Sequence, residues 1–220
     1  MRDVMAGAAA DVAKRSAAIR EAGIELKQHP DEITFAYQHV EVAVGIVDTF
    51  IEVGSYEGAS LYVYAGLVKR KSLLGRGGLV IAVEDGRRGP KKRERLKRAM
   101  AMIEAEGIEV KWVRGNSHIP ATLEAVRDAL GTRKVGFLHI DGDHSAEGSM
   151  ADWKMYGPLV RPGGITAFHD IRATPPSNVT QTWETICNDG SLTRAICKGR
   201  FQTREGGKLH KPCGIGLVYC

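Results

Sequence analysis

Phe50-Ile51-Glu52-Val53-Gly54-Ser55-Tyr56-Glu57-Gly58 is the stretch that decides the fold. An apolar run ends in a glycine-bearing turn, and a helical stretch follows from Gly58 to Lys71. Glycines at such a turn let the backbone approach a ligand closely. Open α/β sheets bind their ligands at the carboxyl ends of strands. The spacing is Gly-x-x-x-Gly rather than Gly-x-Gly-x-x-Gly, which argues against a dinucleotide and its pyrophosphate-binding turn. Glu52 suits a cationic amino acid moiety. The plainer reading makes it a carboxylate seeking a partner behind a tight turn.

Outward from this unit, short β-branched runs alternate with amphipathic stretches, as in a doubly wound parallel sheet. The first strand spans Ile46 to Val53. Later strands are expected at Leu79 to Glu84, Ile108 to Val113, Val135 to Ile140 and Ile165 to Phe168. Lys69, Arg70 and Lys71 close the first crossover helix and suit the negative pole of its dipole. Further helices are expected at Pro90 to Glu106, Pro120 to Leu130 and Ala146 to Leu159, with Pro90 early in its helix and Gly107 and Gly131 as stops. Gly75-Arg76-Gly77-Gly78 reads as a loop, and Pro162-Gly163-Gly164 as a turn into the fifth strand. After a loop opened by Pro175-Pro176, Val179 to Asn188 reads as a helix. Thr193 to Thr203 and Gly214 to Tyr219 read as strands joined by Arg204-Glu205-Gly206-Gly207 and a polar loop. No helix fits between them, so they should pair antiparallel.

The expected fold is therefore α/β: a Rossmann-like, doubly wound, seven-stranded, mostly parallel sheet with an antiparallel C-terminal strand pair. Ala6 to Ala22 and Ile33 to Val44 are helix candidates ahead of the sheet. Residues 1–45 are expected to form a helical cap over the site or a dimer surface, and residues 46–220 the main domain.

A chain of 220 residues suits such a domain. Its hydrophobic content of 43% and charged content of 26% are ordinary for a globular protein. The apolar runs fall short of the about 20 residues that cross a membrane, and the first residues lack a signal-peptide core. A cytoplasmic protein is expected. Cys187, Cys197, Cys213 and Cys220 form no C-x-x-C pair. They read as reduced cysteines of C-terminal strands, with a disulfide or metal cluster as the other reading. The net charge of +5 is concentrated in Arg87, Arg88, Lys91, Lys92, Arg93, Arg95, Lys97 and Arg98. This run can attract phosphates, or it is the solvated face of a helix whose buried stripe is Leu96, Met100 and Ile103.

Chemistry concentrates at the strand ends. Glu84, or Asp85 one residue on, can take both ribose hydroxyls of an adenosine. Asn116 and Ser117 in Arg114-Gly115-Asn116-Ser117 can bond an adenine ring, or cap the next helix. The densest cluster ends the fourth and fifth strands: Phe137-Leu138-His139-Ile140-Asp141-Gly142-Asp143-His144-Ser145 and Ile165-Thr166-Ala167-Phe168-His169-Asp170. Neighbouring parallel strands bring such ends together. Asp141, His169 and Asp170 can then hold a divalent metal, with oxygen ligands favouring Mg²⁺ or Mn²⁺. His144 can take a proton from a polarised hydroxyl. His139, inside its strand, is expected in the core behind the site.

With Ile140-Asp-Gly-Asp-His-Ser-Ala-Glu-Gly148, Asp152, Pro162-Gly-Gly164 and Phe168-His-Asp170 in place, the chain resembles class I S-adenosylmethionine-dependent methyltransferases. Within them it is most similar to metal-dependent O-methyltransferases of the catechol, macrolide-sugar and cephalosporin-biosynthesis types, over about Val47 to Ile171. The resemblance implies S-adenosylmethionine as cofactor. It implies cofactor contacts from Glu52, Gly54, Ser55, Tyr56, Glu84 and Asp141 or Asp143, to which the motifs add Gly58, Asp85, Asn116, Ser117 and His144. His144 and Asp141 are the expected catalytic pair, His144 standing at the family's base position. The family's usual acid, or acid and amide, pair at the end of the fifth strand is here His169-Asp170. The expected activity is methylation of a hydroxyl on a small molecule, with a homodimer considered and no membrane partner. Two alternatives are a methyltransferase that takes nucleic acid or protein through residues 87–98, and a non-catalytic nucleoside-binding protein on the same fold. A dehydrogenase is disfavoured by the missing glycine fingerprint.

Overall fold

The computed structural model describes residues 1–72, 77–172, 177–190, 192–197 and 214–220, with the side chains of 194–197 left aside. In chain order the elements are α1 (Arg2–Glu21), α2 (Pro30–Ala43), β1 (Thr49–Val53), α3 (Ala59–Lys71), β2 (Leu79–Val83), α4 (Pro90–Glu104), β3 (Glu109–Val113), α5 (Pro120–Leu130), β4 (Val135–Ile140), α6 (Ala146–Tyr156), a 3-10 turn (Gly157–Leu159), β5 (Val160–His169), α7 (Val179–Asn188), β6 (Thr193–Cys197) and β7 (Ile215–Tyr219). The strands lie in the order β3-β2-β1-β4-β5-β7-β6. β1 to β5 pair in parallel, and β7 runs antiparallel between β5 and β6. The expected α/β fold with a mostly parallel sheet and an antiparallel C-terminal pair is what forms.

The apolar strand runs arise because both faces of the sheet are covered. Successive side chains alternate between two cores. Phe50, Val80, Ala82, Phe137, Ala167 and Leu217 join the face covered by α1, α2, α3 and α4. Ile51, Val53, Ile81, Val83, Leu138, Phe168 and Val218 join the face covered by α5, α6 and α7. The N-terminal helices share the first of these cores: Ala8, Val12, Ile19, Ile33, Tyr37 and Val40 are buried in it. Gly66 of α3 lies where Arg15 of α1 and Tyr37 of α2 press closest, leaving no room for a side chain.

The helix starts follow their local chemistry. Pro30, Pro90 and Pro120 each occupy the first turn, where a missing N–H costs nothing. Ser145 caps α6 by accepting the Gly148 N–H at 3.0 Å. Two expectations need correction. Pro162-Gly163-Gly164 does not precede the fifth strand but lies within β5, which starts at Val160; the pairing with β4 shifts register between Val135 and Phe137, and this irregularity absorbs the proline. The α4 stripe is Leu96, Ala99 and Ile103, with Met100 half-buried beside it. The expected loops at residues 75–76, 175–176 and 204–207, the strand beyond Cys197, Cys213 and the Cys197 side chain lie outside the described residues. Among the described residues Cys187 and Cys220 are free thiols, and no helix is long and apolar enough to cross a membrane.

Candidate active site

β1 is flanked by β2 on one side and β4 on the other, so the connections leave in opposite directions at its carboxyl end. Ligands of open sheets bind at this reversal. A cavity of about 810 Å³ opens there. Its walls include Gly54, Ser55 and Tyr56 after β1, Glu84, Asp85 and Arg88 after β2, and Gly115 to His118 after β3. Asp141 to His144 after β4, and His169 and Asp170 at the end of β5, complete the far side. Glu25 to Gln28, between α1 and α2, form the remaining edge.

Gly54 has φ +86° and donates its N–H to the Val83 carbonyl at 2.9 Å. A Cβ at this position would run into the Asp141 carbonyl, so the β1 and β4 ends approach closely only because residue 54 is glycine. Tyr56 has φ +49°, and its N–H meets Glu84 Oε2 at 2.9 Å while Glu84 Oε1 accepts from Gly86 at 3.2 Å. Burial raises the Glu84 carboxyl above its usual range despite these two backbone bonds. Glu84 is thus the strand-end carboxylate that faces the turn. Asp85 instead accepts from the Arg87 backbone at 2.8 Å and pairs with its side chain. Asn116 Oδ1 accepts the His118 N–H at 2.9 Å, and Tyr156 donates its hydroxyl to the Ser117 carbonyl. The α5 cap falls on Ile119, so neither Asn116 nor Ser117 is the helix cap. Asp143 bonds the Ser145 N–H at 2.8 Å, which lowers its carboxyl, and shapes the turn into α6 from an exposed position.

The two strand ends meet as expected. His144 Nδ1 lies 2.8 Å from Asp170 Oδ2, and its Nε2 lies 3.4 Å from Asp141 Oδ1. His169 Nδ1 lies 3.1 Å from Asp141 Oδ1, and its Nε2 lies 3.2 Å from Glu32 Oε2. Bonds to Asp141 and Asp170 push His144 up to about 10 against the opposing effect of burial. Burial also opposes a charge on His169, but Asp141 and Glu32 outweigh it and hold the ring well above its usual range. Burial of Asp141 is likewise outweighed, by the His169 charge and by bonds from both rings, and its carboxyl stays well below the usual range. Asp170 is lowered in the same sense, chiefly by the His144 bond. Among the described residues the non-glycine positions with positive φ are Tyr56 and Asp170, and both line this cavity. Such backbone costs about 1 kcal/mol or more per residue and persists where surroundings enforce it.

Two expected contacts are not on the cavity wall. Glu52 is fully buried and pairs with His139 Nδ1 at 2.9 Å. The period-2 alternation sends it behind the sheet edge, directly opposite His139 in register. Gly58 is glycine for packing: a Cβ there would lie 2.7 Å from that of Ala99. His139 is a core residue, as expected, holding Glu52 on one nitrogen and Gln28 on the other. Gln28 and Glu32 are site residues that sequence reasoning missed. Gln28 Nε2 bridges His139 at 3.0 Å and Asp141 Oδ2 at 3.1 Å. Glu32 also accepts the Gly214 N–H at 2.6 Å. His118 was missed as well; it faces buried Asp152 at 3.3 Å.

The metal expected on Asp141, His169 and Asp170 does not fit this arrangement. Both His169 ring nitrogens already face carboxylates, so the ring has no free lone pair to offer. Among the described residues no group of three or more His, Cys, Asp or Glu side chains is placed to hold a metal ion. The methyl donor fares better. Among the described residues Gln28 Oε1 is a buried acceptor without a hydrogen-bond partner, on a residue of the cavity edge where a cationic amino group would need one.

Residues 51–171 match the sequence model of a family described as a methyltransferase domain. The chain belongs to that family. An uncharacterized protein, R132, of Acanthamoeba polyphaga mimivirus is 31% identical over 126 residues, which cover 56% of this chain and 52% of that protein. The methyltransferase domain thus spans about half the length of the curated relative it matches. Among solved structures, cofactor-bound Rv0187 from MTB superposes with a TM-score of 0.61 at 16% identity, over 94% of this chain and 88% of that one. CalS11, a TDP-rhamnose 3'-O-methyltransferase of calicheamicin biosynthesis, gives 0.57 at 13% identity, over 82% and 75%. At these identities the likeness is one of fold, and the fold is that of class I S-adenosylmethionine-dependent methyltransferases.

Proposed function

We propose that the cleft methylates a hydroxyl of a small molecule, with His144 as general base. The observation that carries this reading is the placement of His144: a partly exposed imidazole, its Nδ1 held by Asp170, at the wall of a cavity that also holds Glu84 and the Gly54 turn. When bound, S-adenosylmethionine supplies an electrophilic methyl group next to a sulfonium charge. In this reading Glu84 would take the ribose hydroxyls, Asn116 and Ser117 the adenine, and Gln28 Oε1 the ammonium group. Ser55, Asp85 and Asp143 line the same space. His144 Nε2, which among the described residues has only its longer contact to Asp141, is the nitrogen left to face an acceptor hydroxyl. The donor would give its methyl group to the acceptor oxygen and keep the carbon–sulfur electron pair, while Nε2 of His144 would take the hydroxyl proton. The bonds to Asp141 and Asp170 that raise His144 to about 10 favour its protonated form in the free protein near neutral pH. The ring gives up that proton more readily when a second positive charge stands beside it, since like charges disfavour ionisation. Most of the rate enhancement would come from alignment.

Reaching nucleic acid or protein through residues 87–98 has less support, because much of that charge is spent within the chain. Arg87 pairs with Asp85, Arg95 with Glu57 and Lys97 with Glu94. Arg93 and Arg98 bond the Gly86 and Ala22 carbonyls. Arg88 and Lys92 lie over the Tyr56 ring. The test is paired. Calorimetry should show S-adenosylhomocysteine binding to the wild type and to His144→Ala alike. A panel of hydroxylated small molecules with labelled S-adenosylmethionine should show label transfer by the wild type only. Near-normal transfer by His144→Ala would remove His144 as base. Absence of cofactor binding would favour a non-catalytic protein.

A further inference from the structure

We propose that this methyltransferase works without a divalent metal, because the His169 ring is clamped between Asp141 and Glu32 and has neither nitrogen to offer one. The ring is almost fully buried, at 8% exposure. One nitrogen reaches Asp141 Oδ1 at 3.1 Å and Asp170 Oδ1 at 3.4 Å, and the other reaches Glu32 Oε2 at 3.2 Å. An imidazole whose two nitrogens both face carboxylate oxygens makes good bonds only when both carry hydrogen, and then it has no lone pair for a metal. Glu32 is fixed in turn: it is completely buried, sits in the first turn of α2, and accepts the Gly214 N–H at the start of β7 through its other oxygen. The clamp is therefore built from three distant parts of the chain rather than from one adaptable loop.

The remaining oxygens of the cluster are engaged in the same way. Asp170 Oδ2 holds His144 Nδ1 at 2.8 Å, and Asp141 Oδ2 accepts from Gln28 at 3.1 Å. Among the described residues no group of three or more His, Cys, Asp or Glu side chains is placed to hold a metal ion. The absence of a metal requirement does not rest on the proposed function.

The test uses the full chain, stripped with a chelator, and Mn²⁺ alone as the probe. Electron paramagnetic resonance should show the free-ion signal undiminished by the wild type at millimolar Mn²⁺. Ring-nitrogen NMR at neutral pH should show both His169 nitrogens protonated. His169→Glu replaces the imidazolium by another carboxylate and should quench the Mn²⁺ signal stoichiometrically, with the quenching lost again when Asp141→Asn is added. Stoichiometric Mn²⁺ uptake by the wild type would overturn the proposal. So would a singly protonated His169 ring, or a folded His169→Glu that gains no Mn²⁺ site. Should that variant not fold, the two wild-type measurements decide. S-adenosylhomocysteine binding, followed separately by calorimetry with and without chelator, keeps a failure of the methyl-donor reading distinct from this one.

Discussion

Asp170 meets His144 through Oδ2 and Nδ1 at 2.8 Å, and it does so from a backbone with φ +60°. A carboxylate-bearing residue in the left-handed region is unfavourable by about 1 kcal/mol. What the backbone gives up there is returned as placement. The Asp170 side chain turns back from the end of β5 to fix the imidazole that follows β4, leaving Nε2, among the described residues, with only the 3.4 Å contact to Asp141. Asp170 is therefore a positioning residue for the proposed base, and its effect should appear in how His144 titrates.

The first prediction concerns pH. His144 is raised from 6.5 to about 10 by its bonds to Asp141 and Asp170. A histidine whose folded value lies above its unfolded one contributes stability that is whole below about pH 6.5 and is lost as pH rises through about 10. Ring-proton NMR of the free protein should show this alkaline inflection, and Asp170→Asn should move it downward. Methyl transfer should rise with pH through the neutral range, because the base form is scarce there. An inflection unchanged in Asp170→Asn would show that the 2.8 Å contact does not form in solution.

Glu32→Gln tests the link between the N-terminal helices and the site. The carboxylate is completely buried and binds both His169 and the Gly214 N–H. Its amide isostere leaves the imidazolium short of one counter-charge. A loss of about 2–4 kcal/mol in urea-unfolding stability is expected, in keeping with other broken buried pairs. A loss below about 0.5 kcal/mol, the range of a neutral surface substitution, would show that the clamp is not a structural element.

Which of these features could be read from the residues alone follows from how local their signals are. The parallel strands were legible because burial on both faces makes them continuous apolar runs, as in Leu79–Val83. The convergence of Asp141, His144, His169 and Asp170 was legible because neighbouring strands carry it. Glu52 was misplaced because a carboxylate two residues before a glycine turn has two faces to choose from, and its pairing with His139 depends on register between β1 and β4. Pro162-Gly163-Gly164 carries a breaker signal that the irregularity in β5 overrides. Gln28 and Glu32 left no local trace. An acid in the first turn of a helix is ordinary at the positive pole of a dipole, and only the tertiary fold brings Glu32 across 137 residues to His169.

Gly54→Ala should be among the most disruptive small substitutions in the chain. The added Cβ would overlap the Asp141 carbonyl, and φ +86° is strained for any L side chain. The β1 and β4 ends would have to separate, which moves Asp141 away from both imidazoles. A stability loss of about 2–4 kcal/mol is expected from overpacking combined with backbone strain, along with weakened S-adenosylhomocysteine binding. Chemical denaturation and calorimetry check the two effects separately. Wild-type stability in Gly54→Ala would mean that the two strand ends are not in contact.

Asp152 offers a prediction of the opposite sign. It is completely buried in α6, with Ser117 and the Asp143 backbone as its hydrogen-bonding neighbours and His118 Nε2 3.3 Å from Oδ1. Burial raises its carboxyl from 3.8 to about 6. A carboxylate with a raised folded value weakens the fold when ionised: the penalty is absent below about pH 4, grows as pH rises, and is complete above about pH 6. Asp152→Asn removes the charge while keeping the shape. The variant should match the wild type near pH 4 and exceed it by roughly 1–3 kcal/mol at pH 8, the scale of a shift of about two pKa units. Urea unfolding at the two pH values checks this. The gain at pH 8 should come with unchanged S-adenosylhomocysteine affinity if Asp152 only supports the His118 turn. If affinity falls instead, the Asp152 oxygens serve the ligand. Destabilisation at pH 8 would show that the neighbours of Asp152 compensate its buried charge in full.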